Sequence, residues 1–290
     1  MDPLTVKTAS HLLDFLLGLG YTKTKVKQLL KHRAITVNGK TATRTDQKLS
    51  KNDRISLDAK PKPGAEILEV AGIGIMYEDE AVMVINKPSG LLTIATEKEK
   101  RETAYYLLNA YFKERDPSRP DRIFIVHRLD RETSGLIVFA KDEAAKRRLQ
   151  KDWNTAEKRY YAVVEGVPKD PEGRIESYLS ETTAFKVYSE PAGEESKRAV
   201  TRYKVVKAGR GHALLDVILE TGKKHQIRVH LADMGCPVVG DKKYGAQTSP
   251  FRRIALHAYL LSFAHPVSGK RMQLTTPLPK SFETLVRPKA

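Results

Sequence analysis

His127-Arg128-Leu129-Asp130-Arg131-Glu132-Thr133-Ser134-Gly135 is a polar string bracketed by two short apolar stretches, residues 123–126 and 136–140. Both stretches read as strands, so the string is a loop that presents charged groups at strand ends, where functional residues concentrate. Working outward, residues 81–86 read as a buried strand closed by the turn Lys87-Pro88-Ser89-Gly90. Residues 103–112 and 142–153 read as helices, and 158–165, 199–206, 213–220 and 226–231 as strands. Strands dominate, and the helices fall at irregular intervals. That pattern predicts an α+β domain on a mixed sheet and not a βαβ repeat. Alternation then assigns faces. Gln226, Arg228 and His230 share one side of their strand, while Tyr160 and Tyr161 point to opposite sides of theirs.

Residues 1–60 have a different pattern. Ser10 is placed to cap a short helix carrying Leu12, Leu13, Leu16 and Leu17, ended by Gly18-Leu19-Gly20. Thr22 or Thr24 can cap a second helix, whose apolar stripe is Val26, Leu29 and Leu30 and whose other faces carry Lys23, Lys25, Lys27 and Lys31. Ala34-Ile35-Thr36-Val37 alternates as a strand, and Asn38-Gly39 signals a hairpin turn with Lys40 just beyond it. Lys60-Pro61-Lys62-Pro63-Gly64 has linker composition. The expected division is therefore a first domain at 1–60, a linker at 61–64 and a second domain at 65–290.

The 290-residue chain carries a formal net charge of +16 and a pI near 9.7. Of its 51 Lys and Arg, 12 fall within residues 1–60 beside 5 acidic residues, so +7 of the +16 sits there. Such a balance attracts polyanions. With 40% hydrophobic and 30% charged residues, the composition is that of a globular protein. No uncharged apolar run approaches the roughly 18 residues of a membrane span, so neither membrane insertion nor export is expected. The single cysteine, Cys236, cannot form an internal disulfide, which suits a reducing, cytoplasmic setting. His225 and His230 would face opposite sides of a strand, and no cysteine cluster or His-Glu-x-x-His string is present. Gly72-Ile73-Gly74 lacks the third glycine and downstream acid of a dinucleotide loop. Neither a metal nor a cofactor is expected.

Two resemblances gather these observations. Residues 10–58 resemble the S4 RNA-binding domain in their helix, helix, hairpin order and in the Val37-Asn38-Gly39 turn. That implies a small α/β module gripping RNA through Lys23, Lys25, Lys27, Lys31, Arg33 and Lys40, with Lys23 where an Arg is usual and Arg33 where a Gly is usual. The string 127–135 resembles the HRLDxxTSG motif of the RluA family of RNA pseudouridine synthases. Lys158-Arg159-Tyr160-Tyr161-Ala162 resembles that family's K-x-Y-x-A motif, and residues 221–230 its TGRxHQIRxH motif, with Lys223 in place of the usual Arg. Shorter matches follow the same order: Asn86 to Gly90, Val239-Gly240-Asp241 with Tyr244-Gly245, and Leu256-His257-Ala258 before His265-Pro266.

The second resemblance implies the pseudouridine synthase fold, with a mixed, largely antiparallel sheet, and isomerisation of uridine to pseudouridine in structured RNA. It makes Asp130 the catalytic carboxylate, either attacking C1′ or removing the 2′-proton. Arg228 becomes the cation that keeps Asp130 ionised, and Tyr160 the ring that stacks on the flipped uracil and helps move the C5 proton. Arg128 becomes an RNA contact, filling the gap left by the flipped base or gripping a phosphate. Large-subunit ribosomal RNA is the expected substrate, with transfer RNA open, and the chain is expected to be a monomer. The rival reading is a non-catalytic RNA-binding or ribosome-assembly protein of the same fold, against which the joint presence of Asp130, Tyr160 and Arg228 argues.

Overall fold

A computed structural model describes residues 4–31, 35–57, 65–115, 122–181 and 186–287. The chain divides into two compact units, residues 1–70 with 110–120, and 71–109 with 121–290. The expected linker at 61–64 and the expected RNA contact Arg33 lie outside the described residues.

In the first unit, helices Leu12–Gly18 and Lys23–Lys31 precede a hairpin of Thr36–Val37 and Lys40–Thr41. Asn38 and Gly39 both take positive φ, 51° and 78°, as a tight two-residue hairpin turn requires. The Asn38 amide ties that turn down, donating to Asp53 Oδ1 at 2.8 Å while its own oxygen accepts from the Arg54 N–H at 2.8 Å. Val6, Leu12, Leu16, Val26, Ile35 and Ile55 form the core beneath. One sequence expectation fails here. Ser10 does not cap the first helix: it sits in strand Ser10–His11, paired with Lys48–Leu49, and His11 occupies the cap position without a side-chain bond. The reason is that backbone carbonyls satisfy the first helical amides, Leu12 N–H donating to Gln47 O and Leu13 N–H to Thr45 O, so no side-chain cap is needed.

The second unit is built on an eleven-stranded sheet. At its centre Glu157–Glu165 runs antiparallel between His212–Leu219 and Leu256–Ala264. Among the named strand pairings of the described residues, only Ser134–Ala140 with Leu256–Ala264 is parallel, so the sheet is mixed and largely antiparallel, as expected. Every residue of Ser134–Ala140 is buried, which explains why it reads as an unbroken apolar run. Gly135 permits the parallel junction: its φ is +117°, and a Cβ there would lie 2.2 Å from the Ala258 carbonyl oxygen. The polar string 127–133 therefore enters the sheet at a point where only glycine fits.

Residues 226–231, expected as a strand, are instead part of helix Gln226–Asp233. Their polar-apolar alternation mimics a half-buried strand, but all six are buried, so the helix has no solvent face to mark its period. The polar members are satisfied internally. Gln226 donates to Val200 O and Thr201 Oγ1, each at 2.9 Å, and His230 meets Thr201 Oγ1 at 2.8 Å and Ser177 Oγ at 2.9 Å. At about 100° per residue, Gln226 and His230 share a side and Arg228 projects from the other, so the three do not lie on one face. Among the described residues no helix is long and apolar enough to cross a membrane.

Candidate active site

A cavity of about 790 Å³ opens in the second unit, lined by Arg128, Asp130, Tyr160, His225 and Arg228 among others. The 127–133 loop lines it, and the turn at 87–90 is bonded to that loop. Lys87, fully buried, donates to the carbonyls of Pro88, Leu91 and Arg131 at 2.9, 2.7 and 3.2 Å. Burial pushes its ammonium down to about 7 against the pull of Asp130 and Glu132. Ser89 Oγ donates to Glu132 O at 2.7 Å, Gly90 N–H to Arg131 O at 2.8 Å, and Thr93 Oγ1 to Leu129 O at 2.8 Å. The carboxylate at position 130 is thus carried on a loop whose backbone is fixed on both sides.

Asp130 Oδ2 accepts from Arg228 Nη1 at 3.2 Å, and His225 Nε2 lies 3.8 Å from the same oxygen. The rest of the guanidinium is held by Asp241, with Nε to Oδ2 at 2.6 Å and Nη2 to Oδ1 at 2.9 Å. That bidentate pair is deep: Asp241 is 1% exposed. Burial works against the Arg228 charge, but the hydrogen bonds and charge of Asp241, with that of Asp130, outweigh it and raise its pKa. The guanidinium also lies 5.0 Å from the centre of the Tyr244 ring. Burial holds His225 neutral, with its pKa pushed down to about 4 although Asp130 pulls it upward.

Tyr160 faces the cavity and Tyr161 turns away to stack on Tyr259 with ring centres 3.8 Å apart, the division that strand parity predicts. Burial, then the charge of Asp130, raises the Tyr160 phenol well above its ordinary value, so it stays protonated. On the far wall, the rings of His127 and Trp153 lie 4.4 Å apart, and Lys158 donates to Trp153 O. Arg128 and Lys223 are exposed and line the same cavity. In the first unit Lys23 and Lys27 are exposed on the second helix, which also carries Lys25 and Lys31, and Lys40 begins the returning hairpin strand. His225 and His230 do not converge, but for a different reason than strand alternation: one points to Asp130, the other to Ser177. Among the described residues no three His, Cys, Asp or Glu side chains gather as a metal cluster.

Residues 81–233 match the family model described as RNA pseudouridylate synthase, and residues 12–55 match the S4 domain. The chain belongs to the RNA pseudouridylate synthase family. An RNA pseudouridine synthase of Bacillus subtilis is 32% identical over 274 residues, covering 92% of this chain and 89% of the relative. The ribosomal large subunit pseudouridine synthase D of Yersinia pestis is 32% identical over 285 residues, covering 92% and 86%. That of Neisseria meningitidis serogroup A is 34% identical over 283 residues, covering 92% and 74%. Among solved structures, human RNA pseudouridylate synthase domain containing 4 superposes with a TM-score of 0.63 at 25% identity, covering 76% of this chain and 94% of that one.

For this RNA pseudouridylate synthase, the structure brings Asp130, Tyr160, Arg228 and Arg128 to one cavity. The sequence reading assigned no role to Asp241, Tyr244, His225 or Lys87. All four lie within strings it noted, but their partners are 13 to 95 residues away in sequence or belong to the backbone, and no local spacing reveals such pairings.

Proposed function

We propose that this enzyme isomerises uridine in large-subunit ribosomal RNA, acting on a nucleotide flipped into the cavity with Asp130 as its reacting carboxylate. The single observation that supports this most is a carboxylate held by a buried arginine at the edge of an open cavity, with a tyrosine ring beside it. The cavity volume is in the range of small-ligand sites, about 300–1,000 Å³. Isomerisation breaks the N1–C1′ bond, turns the uracil and joins C5 to C1′, with a net move of one proton from C5 to N1. No redox partner is needed for that change. A carboxylate can attack C1′ or remove the 2′-proton, and both routes need it ionised after RNA has displaced water. Arg228 supplies the fixed positive charge.

Flipping a base costs a few kcal/mol, and stacking on an aromatic ring returns about 1–3 kcal/mol of it. Tyr160 is the ring at hand. Held as a neutral phenol, it passes a proton on by accepting at oxygen as its own hydrogen leaves. Tyr160→Phe keeps the platform and removes that path, so product formation is expected to fall about 100-fold or more with RNA affinity held. Tyr160→Ala is expected to weaken both. Filter-binding and tritium release from RNA labelled at uridine C5 separate the two effects, and equal, near-normal rates for both variants would remove Tyr160 from the site.

The division of labour follows the charge: the 1–60 module grips RNA phosphates and the 65–290 domain does the chemistry. Lys23 and Lys27 stand four residues apart on one helix face, both exposed. Replacing both with Ala is expected to flatten the slope of log K against log salt by about 1.4 to 1.8 for a long structured RNA. Turnover at saturation on a short stem-loop should not change. An unaltered salt slope would mean that this face serves something other than RNA.

A further inference from the structure

We propose that Asp241 and Tyr244 are positioning residues which, through Arg228 and His225, hold one oxygen of Asp130 and leave the other to react. The inference rests on the reading of Asp130 as the reacting carboxylate. Its geometry begins at the turn Lys242–Tyr244, which brings both Asp241 and Tyr244 against the guanidinium. Asp241 takes Nε and Nη2 of Arg228, so Nη1 alone remains to meet Asp130, and it can do so in one orientation only. A guanidinium is planar, and fixing two of its nitrogens fixes the third.

Tyr244 acts on the imidazole. Its oxygen accepts from the Val187 N–H at 3.1 Å, and its own hydrogen is then left for His225 Nδ1 at 2.7 Å. With Nδ1 accepting, the imidazole proton sits on Nε2, the nitrogen that faces Asp130 Oδ2. His225 itself takes a left-handed backbone, φ 53°, immediately before the helix that carries Arg228, so one short segment delivers both the imidazole and the guanidinium. Both converge on Oδ2. The other oxygen, Oδ1, has no hydrogen bond to a described residue and is the one free to attack or to take a proton. Without Asp241 the buried guanidinium could swing toward Asp130 or away from it. Without the Tyr244 hydroxyl, the ring could carry its proton on Nδ1 and turn a lone pair toward a carboxylate.

The groups that act electrostatically on Asp130, or with it, are Arg228 and His225 from the helix segment, Lys87 from the bracing turn, Tyr160 from the central strand and Tyr244 behind Arg228. Among the described residues Arg228 alone hydrogen-bonds its carboxylate, and the neutral His225 faces the same oxygen at 3.8 Å, so loosening either should let the carboxylate turn out of its reactive orientation. The test uses the full-length enzyme and a stem-loop RNA labelled at uridine C5. For wild type, Asp241→Asn, Tyr244→Phe and Asp130→Asn, kcat and KM are followed across pH, with circular dichroism reporting the folded fraction. Asp241→Asn is expected to lower kcat about 10- to 100-fold with KM unchanged. Tyr244→Phe, which keeps the ring under Arg228, is expected to lower kcat about tenfold, again without a change in KM. It carries the test if Asp241→Asn fails to fold. The proposal is overturned if the folded variants match wild type, if only KM changes, or if lost activity merely tracks the unfolded fraction. An active Asp130→Asn would instead overturn the reading of the site itself, so the two failures are distinguishable.

Discussion

Asp130→Asn is expected to abolish tritium release from RNA labelled at uridine C5 while binding RNA as the parent does. Asn keeps the size and shape of the side chain and can still accept from Arg228 Nη1, and Arg228 stays in place because Asp241 grips it independently. What disappears is the negative charge. An amide oxygen neither attacks C1′ nor holds the 2′-proton, so the loss should be at least about 10⁴-fold, the scale seen when a group acting directly on the substrate is removed. The RNA-binding surface is untouched, since the side chain lies inside the cavity and the exposed cations at Lys23, Lys27 and Arg128 remain. Measurable release by the Asn variant, after exclusion of wild-type contamination, would remove Asp130 from the chemistry.

The second large effect is expected at Arg228 and has two separable parts. Arg228→Met preserves length and apolar volume but leaves Asp241, 1% exposed, as a buried carboxylate without its cation. Breaking a buried pair in this way costs about 3–5 kcal/mol of stability. Turnover is expected to fall about 100- to 1,000-fold as well, because the fixed positive charge beside Asp130 is gone. The double variant Arg228→Met with Asp241→Asn removes both charges and should regain most of the lost stability. It should regain none of the activity. Urea midpoints and tritium release on the same preparations read the two quantities. An unmoved midpoint in the single variant, or recovered turnover in the double, would contradict this account of the pair.

What the sequence discloses here depends on whether the physics is local. The 127–135 string is legible because its polar groups are contiguous and flanked by short apolar runs that form strands, half-buried at Phe124–Ile125 and fully buried at Ser134–Ala140. Tyr160 is separable from Tyr161 by parity because the ladder with His212–Leu219 is regular through both residues, while the irregularity at Arg159 and Tyr160 affects only the ladder with Leu256–Ala264. The turn at Asn38-Gly39 is legible because two positive φ values demand those residue types. Gln226–Asp233 is not legible as a helix. Its polar residues are spent on internal partners at Thr201, Ser177, Asp130 and Asp241, and because residues 226–231 are all buried, the stretch loses the pattern that would announce a helix. Ser10 misleads for a related reason, since carbonyls at Thr45 and Gln47, more than thirty residues away, do the capping. Asp241 illustrates the general case. A carboxylate in a short loop says nothing about its partner until the fold brings a guanidinium to it.

The most direct test of the central claim is a carbodiimide map of pseudouridine across large-subunit ribosomal RNA. It would be made in cells lacking this protein and in the same cells supplied with either the wild-type chain or Asp130→Asn. The account predicts that at least one pseudouridine is lost with the protein, returns with the wild-type chain and stays absent with the Asn variant. A map that does not change when the protein is removed, or one restored equally by the Asn variant, would contradict it.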